Sequence, residues 1–244
     1  MTLAGKHAFV TGGGRGIGRA GAAVTVIGRS EAPLRETVAA GEAAGCGVAD
    51  VTDVVEVKRQ VTAAEAARGP IAILINNAGS VESGPFIKAD PSVFRTMWNV
   101  HLMGAVYATQ AVLPGMIERG FGRIVNVAST AGLKGYAYIS AYCAAKHALV
   151  GLTRALAAET AARGVTVNAV CPGYTDTDLV RDSIKRVAAK TGRAQTDVLA
   201  EYQKDAPVGR LIRPEEVAAA VVYLCSPEAA AVTGTTLAIA GGEM

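Results

Sequence analysis

Aromatic side chains are scarce in this chain: one Trp, seven Tyr and four Phe in 244 residues, with a net charge of only +3. A nucleic-acid binder needs stacking platforms and a basic face, and neither is present. The charge is also too small to argue for a membrane surface. Cysteine is thin as well. Cys46, Cys143, Cys171 and Cys225 are scattered with no C-x-x-C pair, which argues against a zinc site. Cys46, Cys171 and Cys225 sit in apolar runs and read as buried free thiols, fitting a reducing cytoplasm. VAAAVVYLC, the longest apolar run near the end, falls far below the ~18 residues that span a bilayer. The opening MTLAGKHAFV carries no signal-peptide pattern, so the expected location is cytoplasmic. Linkers, repeats and low-complexity segments are missing too, which predicts one domain over 1–244.

What the chain has is alternation. HAFVT (7–11), AVTVIG (23–28), CGVAD (46–50), IAILIN (71–76), RIVNVA (123–128), VTVNAVC (165–171) and TTLAIA (235–240) read as strands. Their near-continuous apolar character suits strands buried on both faces. Helical stretches fall between them at 31–44, 53–67, 91–119, 138–162 and 214–225, the last with Pro214 in its first turn. This predicts an α/β fold: a three-layer, doubly wound parallel sheet, Rossmann-like, of about seven strands.

One connection is short. After Gly18 only RAGAA (19–23) precedes the second strand. Five helical residues cover about 7–8 Å, whereas a five-residue strand covers roughly 16 Å. The expectation is a shortened first crossover helix, about two turns below the usual length, through a deletion or residues missing from the chain.

TGGGRGIG (11–18) follows the first strand. Glycines there let backbone N–H groups approach a pyrophosphate at a helix N-terminus, marking Gly12, Gly14, Arg15, Gly16, Ile17 and Gly18. The second strand ends in IGRS. Sites for NAD place an acid at this point; here Gly28 stands there and Arg29 follows. An arginine suits the 2′-phosphate of NADP, with Arg15 as a second candidate and NAD as the alternative cofactor. Asp50, ending the third strand before Val51, reads as a partner for adenine or as a cap. LINNAGS (74–80) places Asn77, Ala78 and Gly79 as a wall against the adenine ribose and a brace for the central strand.

Of the seven tyrosines only Tyr142 has a lysine four residues later, Lys146. Residues so spaced share a helix face. A phenol titrates near ~10 and exchanges protons poorly at neutral pH; a neighbouring positive charge is expected to favour phenolate and move it toward working pH. Ser129, thirteen positions upstream, ends an apolar run and offers a hydroxyl to a substrate oxygen. His101 and His147 have no evident carboxylate companion and read as helix-packing or surface histidines. Between the sixth strand and the last helix, Arg181, Lys185, Arg186, Lys190 and Arg193 face only Asp182 within thirteen residues. That run reads as a solvated helix face, or as a meeting point for thioester-carrier phosphates.

In this order the motifs resemble the short-chain dehydrogenase/reductase family in its single-domain form: TGGGRGIG, NNAG (76–79), Asn99 in MWNVHLMG, Ser129 in NVAST, Tyr142 with Lys146 in YCAAK, and CPG (171–173). They span residues 7–242. The resemblance implies Tyr142 as proton donor or acceptor and Lys146 as its modulator and ribose ligand. It implies Ser129 on the reacting oxygen, and Asn99 anchoring a water linked to Lys146. Pro172 and Gly173 would begin the loop that holds the nicotinamide amide, with Tyr174, Thr175 and Thr177 nearby, and 174–213 would be a substrate lid. Hydride transfer between nicotinamide and a ketone or secondary alcohol would need no metal. GRIVNVAST, SAYCAAKHALVG and the GGEM end are similar to ketoacyl and polyketide ketoreductases and 3-hydroxyacyl-CoA dehydrogenases, implying a 3-oxoacyl or 3-hydroxyacyl thioester. Family habit implies a homotetramer through 91–119 and 138–162. The competing reading is a nucleotide-binding module of the same fold without turnover.

Overall fold

Parallel strands covered on both faces carry apolar side chains on both, and here they do. The computed structural model describes residues 3, 5–13 and 24–243. Its strands are β1 (His7–Thr11), β2 (Val24–Gly28), β3 (Gly45–Val48), β4 (Ile71–Asn76), β5 (Gly122–Val127), β6 (Val165–Pro172) and β7 (Thr236–Ile239). They form one sheet in the order β3-β2-β1-β4-β5-β6-β7, with every neighbouring pair parallel. All residues of β4, β5 and β6 are buried.

Helices α1 (Glu31–Ala39), α2 (Val54–Arg68), α3 (Pro91–Trp98), α4 (Gly104–Glu118), α5 (Ser140–Thr160), α6 (Asp178–Thr191), α7 (Gln195–Lys204) and α8 (Pro214–Cys225) connect them. Alternate strand residues point to opposite faces. Val26, Ile73, Ile75 and Val125 meet Leu34 of α1 and Val217 and Leu224 of α8. Phe9, Ile27, Leu74 and Ile124 meet Val57 of α2, Val112 and Met116 of α4, and Ala157 of α5. Helix starts follow local chemistry. Asp53 accepts from the Val55 and Glu56 amides. Asp90 accepts from Ser92 with Pro91 behind it. Tyr138, held at φ 67°, cannot join a helix, so α5 starts at Ser140.

Several expectations change. The stretch 91–119 is two helices joined by a π-helical turn at Asn99–Met103. By length and composition Pro91–Glu118 would cross a membrane, yet Met97, Ala105, Ala108, Val112 and Met116 are buried in the core. Segment 174–213 folds as α6 and α7. Cys46 is exposed on the edge strand β3, while Cys143, Cys171 and Cys225 are buried. Gly14, Arg15, Gly16, Ile17, Gly18 and the shortened crossover at 19–23 lie outside the described residues. The pairing that crossover must serve is present, with Thr11 opposite Ile27.

A buried polar ladder fixes α5 against the sheet. Asn76 lies opposite Asn126 in register, and its Nδ2 donates to Asn126 Oδ1 at 2.8 Å and to Thr109 Oγ1 of α4 at 3.3 Å. Asn126 Nδ2 donates to Thr153 Oγ1 of α5 at 2.8 Å. Replacing Asn126 with Leu takes one buried hydrogen bond each from Asn76 and Thr153, so we expect a loss of about 2–3 kcal/mol, measured by urea unfolding. A change under about 0.5 kcal/mol would show that the ladder does not hold α5.

Candidate active site

The chain winds from β1 outward to β3, then crosses to β4 on the other side of β1. At such a switch point the loops part and leave a crevice beyond the carboxyl ends of the strands. Thr11 Oγ1 accepts from the Asn77 and Ala78 amides, both at 3.0 Å. Asn77 Nδ2 returns bonds to the Thr11 and Gly12 carbonyls at 3.0 and 3.2 Å. Gly12 sits at φ +70, and a Cβ there would come within 2.8 Å of the Ala78 Cα; a Cβ on Gly13 would come within 2.4 Å of Val26. Only glycine brings the backbone this close. Motif reading passes over Thr11, although its place directly before the glycine turn is a legible signal.

Arg29 is exposed at the end of β2, with no acid beside it in the chain. Gly28 has room for a side chain, its added Cβ lying 3.6 Å from Leu34, so the missing acid reflects no steric bar. Asp50 Oδ1 accepts from the Thr52 amide and hydroxyl at 2.9 and 2.8 Å, which pins the turn after β3; Val51 is buried and packs on Gly104. Pro172 closes β6, and Gly173 N donates to the Ile239 carbonyl at 3.1 Å. Thr175 Oγ1 donates to the Gly173 carbonyl at 3.0 Å and Thr177 Oγ1 to that of Thr175 at 3.3 Å. These residues follow the carboxyl end of β6.

Tyr142 and Lys146 share one face of α5, with the amine 5.5 Å from the phenol ring centre. The Lys146 Nζ donates to the Val127 carbonyl at 2.7 Å, at the end of β5. Ser129, two residues beyond that strand, is near enough to the Tyr142 hydroxyl to favour its anion and accepts from the Ala131 amide at 3.1 Å. Spacing predicts this triad and the fold assembles it. The expected charge effect runs the other way, however. Burial pushes Tyr142 up to about 12, only partly opposed by the Ser129 hydrogen bond. Burial also pushes Lys146 down to about 7, with the nearby Cys171 opposing weakly. A buried amine near half-ionisation is a weak lever on its neighbour, so desolvation wins and the phenol holds its proton at neutral pH.

Asn99 is not brought to this triad. It lies exposed on the π turn, because the extra residue in that turn rotates the helix face. His101 takes the inward place, 3% exposed, its ring edge-on to Tyr142 at 5.1 Å and 85°. Sequence spacing conceals this because it presumes a regular helix. His147 is exposed and bonds the Cys143 carbonyl at 2.9 Å, as a surface histidine would.

Beside Ser129, the Thr130 and Tyr136 hydroxyls are hydrogen-bonded at 2.7 Å. The Tyr136 hydroxyl also bonds the buried Glu243 carboxylate, which pairs with Lys134 at 3.4 Å. Burial and the Glu243 bond push Tyr136 well above the ordinary phenol range. Tyr136 meets Tyr174 edge-on at 6.4 Å, and Tyr174 stacks on Tyr202 of α7 at 4.1 Å. The basic run is largely committed within the protein. Arg181 pairs with Asp176 at 2.9 Å, Lys185 with Asp182 at 3.5 Å and Arg193 with Glu201 at 2.7 Å. Arg186 and Lys190 donate to the Val81 and Ser83 carbonyls, each at 3.3 Å, which ties α6 over the loop after β4.

The pattern of the family described as enoyl-(acyl carrier protein) reductase matches residues 14–243. The 3-oxoacyl-[acyl-carrier-protein] reductase FabG of Vibrio harveyi is 38% identical, covering 99% of this chain and 98% of its own length. The acetoacetyl-CoA reductase of Shinella zoogloeoides is 39% identical over 98% of each. A tryptophan variant of actinorhodin polyketide ketoreductase, solved with NADPH, superposes with a TM-score of 0.92 at 37% identity, covering 97% of this chain and 96% of that one. The chain belongs to the short-chain dehydrogenase/reductase family. As such it is an NAD(P)-dependent oxidoreductase acting on ketones or secondary alcohols. Its residues fit the cofactor: a side-chain-free backbone cradle at Gly12 and Gly13, a bracing loop at Asn77–Gly79, and a cation rather than an acid after β2.

Lys146 gives this oxidoreductase a pH signature in stability. Its folded-state value near 7 lies below the ordinary 10.5, so the unfolded chain binds that proton more tightly. The resulting destabilisation is fully present below pH 7 and is relieved as pH rises toward 10.5. Lys146→Met removes it. We expect the stability of wild type relative to this variant to rise between about pH 7 and 10, followed by paired urea titrations; a flat difference would refute a neutral-leaning buried amine.

Proposed function

We propose that this chain is an NADP(H)-linked ketone reductase whose proton donor is Tyr142, with a 3-oxoacyl thioester as the substrate class. The observation that carries the reading is the buried Tyr142 phenol beside Ser129, protonated at neutral pH, with the Lys146 amine 5.5 Å from its ring centre. When bound, the nicotinamide supplies hydride to the carbonyl carbon. Ser129 orients the carbonyl oxygen, and Tyr142 gives its proton to that oxygen as negative charge develops. A phenol held near 12 carries its proton at neutral pH and is able to act as the donor in the reducing direction.

Gly12 and the turn Gly14–Gly18, with Arg15 and Ile17, would cradle the pyrophosphate, and Arg29 would read the 2′-phosphate. Asp50 and Val51 would border the adenine and Asn77, Ala78 and Gly79 its ribose. Lys146 would hold the nicotinamide ribose, and Pro172, Gly173, Tyr174, Thr175 and Thr177 the amide end. The acyl class rests on the names of the relatives; the pairing of Arg181, Lys185 and Arg193 argues against those cations as the docking point for carrier phosphates. Segment 174–213 would act as the substrate lid of a single catalytic domain. A homo-oligomer, as a tetramer in the cytoplasm, fits the exposed apolar group Phe86, Ile87, Trp98 and Tyr138 beside α3 and α5; light scattering on the eluted protein tests it.

Following NADPH absorbance over a ketone panel, Tyr142→Phe is expected to lose roughly 10²–10⁴-fold in kcat while NADPH still binds. Turnover close to wild type would remove Tyr142 as donor. Tight NADPH binding by wild type with no turnover on any ketone would favour the silent-module reading instead. Arg29→Asp should move the NADP/NAD preference about tenfold or more toward NAD, and an unchanged ratio would show that Arg29 does not read the phosphate.

A further inference from the structure

A buried imidazole stands at the break between α3 and α4, and the roles of Ser129, Tyr142 and Lys146 leave it unused. The His101 Nε2 lies 2.7 Å from the Ser80 carbonyl oxygen, well inside the 3.5 Å to the Ser80 amide nitrogen. A carbonyl only accepts, so Nε2 carries the hydrogen. Burial, with the Lys146 amine nearby, pushes the ring well below its ordinary value, so it is neutral and Nδ1 is a bare acceptor. That Nδ1 is buried without a hydrogen-bond partner, and so is Asn76 Oδ1 on β4.

Both residues line one cavity of about 10 Å³ at the base of the crevice, together with Thr11 and Lys146. That is close to the volume that holds one water. Two buried acceptors on separate elements are costly unless a donor meets them. Lys146 borders the same cavity with hydrogens beyond the one given to Val127. A water there would donate one hydrogen to Nδ1 and one to Asn76 Oδ1, and accept from Lys146. Packing holds the ring in this orientation, so close over Gly79 that a Cβ there would come within 2.8 Å of its Cε1.

We infer that His101 is a positioning residue for the reaction, acting through a water shared with Asn76 and Lys146. Accepting from the amine, this water favours the ammonium form and keeps Lys146 from falling further toward permanent neutrality. The groups facing His101 are Tyr142 and Lys146 from α5, the Ser80 carbonyl from the loop after β4, and Asn76 and Thr11 from the sheet; no carboxylate of the described residues is among them. The inference rests on Tyr142 and Lys146 being the reducing centre.

Two variants separate positioning from packing. His101→Leu removes the acceptor and keeps an apolar body, whereas His101→Gln keeps a carbonyl acceptor. For His101→Leu we expect kcat for ketone reduction to fall roughly tenfold or more, with the NADPH KM nearly unchanged. The pH limb belonging to Lys146 should move to lower pH, and His101→Gln should restore both. Wild-type kcat and pH profile in His101→Leu, or an equal loss in a folded His101→Gln, would overturn the inference. Nitrogen-15 NMR of wild-type His101 decides independently of turnover. A neutral ring with hydrogen on Nε2 and a hydrogen-bonded Nδ1 at neutral pH is expected; a protonated ring or an Nδ1–H tautomer overturns it. Should wild type reduce no ketone, the enzymatic reading fails while this spectrum still tests the water site.

Discussion

Desolvation of one amine and one phenol a helical turn apart sets the behaviour of this site. Lys146 is 4% exposed and is held by a backbone carbonyl rather than a carboxylate. Removing an ammonium from water without a counter-charge lowers its proton affinity; removing a phenolate raises that of the phenol. Lys146 falls to about 7 while Tyr142 rises to about 12, and together the shifts favour a neutral pair. At neutral pH the site therefore holds a protonated phenol beside a partly charged amine.

That pair is only as well placed as α5 is. The Asn76–Asn126–Thr153 ladder ties α5 to the two central strands and reaches α4 through Thr109. Polar groups in such a dry interior have few alternative partners, which makes the arrangement specific as well as stable. Thr11 and Asn77 do the same at the mouth, joining the ends of β1 and β4 where the cofactor cradle begins. The reactive centre and the cradle are thus braced by two small polar networks on adjoining strands.

Much of this is legible in the chain. The seven apolar runs match seven strands within about two residues at each end, since strands buried on both faces announce themselves without reference to the rest of the fold. Tyr142 and Lys146 are legible because i and i+4 share a face wherever α5 packs. Ser129 follows from its place after an apolar run, and its hydroxyl meets Tyr142 because the chain leaving β5 runs under α5. The resemblance points to Asn99, which the structure leaves exposed, and His101, read as a helix-packing or surface histidine, takes the buried place for one reason: a π turn adds a residue, and each residue rotates a helix by about 100°. Spacing also misplaces Cys46, because an apolar run on an edge strand is covered on fewer sides than one in the centre.

Composition, strand periodicity and motif spacing by themselves determined the fold class, the glycine turn after β1 and the grouping of Tyr142 with Lys146 on one helix face. All three are carried by residues close in sequence or by runs of one character. Tertiary structure alone decided which way the helix break points, how far burial outweighs charge at Tyr142, and that Arg186 and Lys190 of α6 are tied to the loop after β4. Those outcomes depend on which atoms lie within a few ångströms after packing, and a one-dimensional pattern holds no record of such distances.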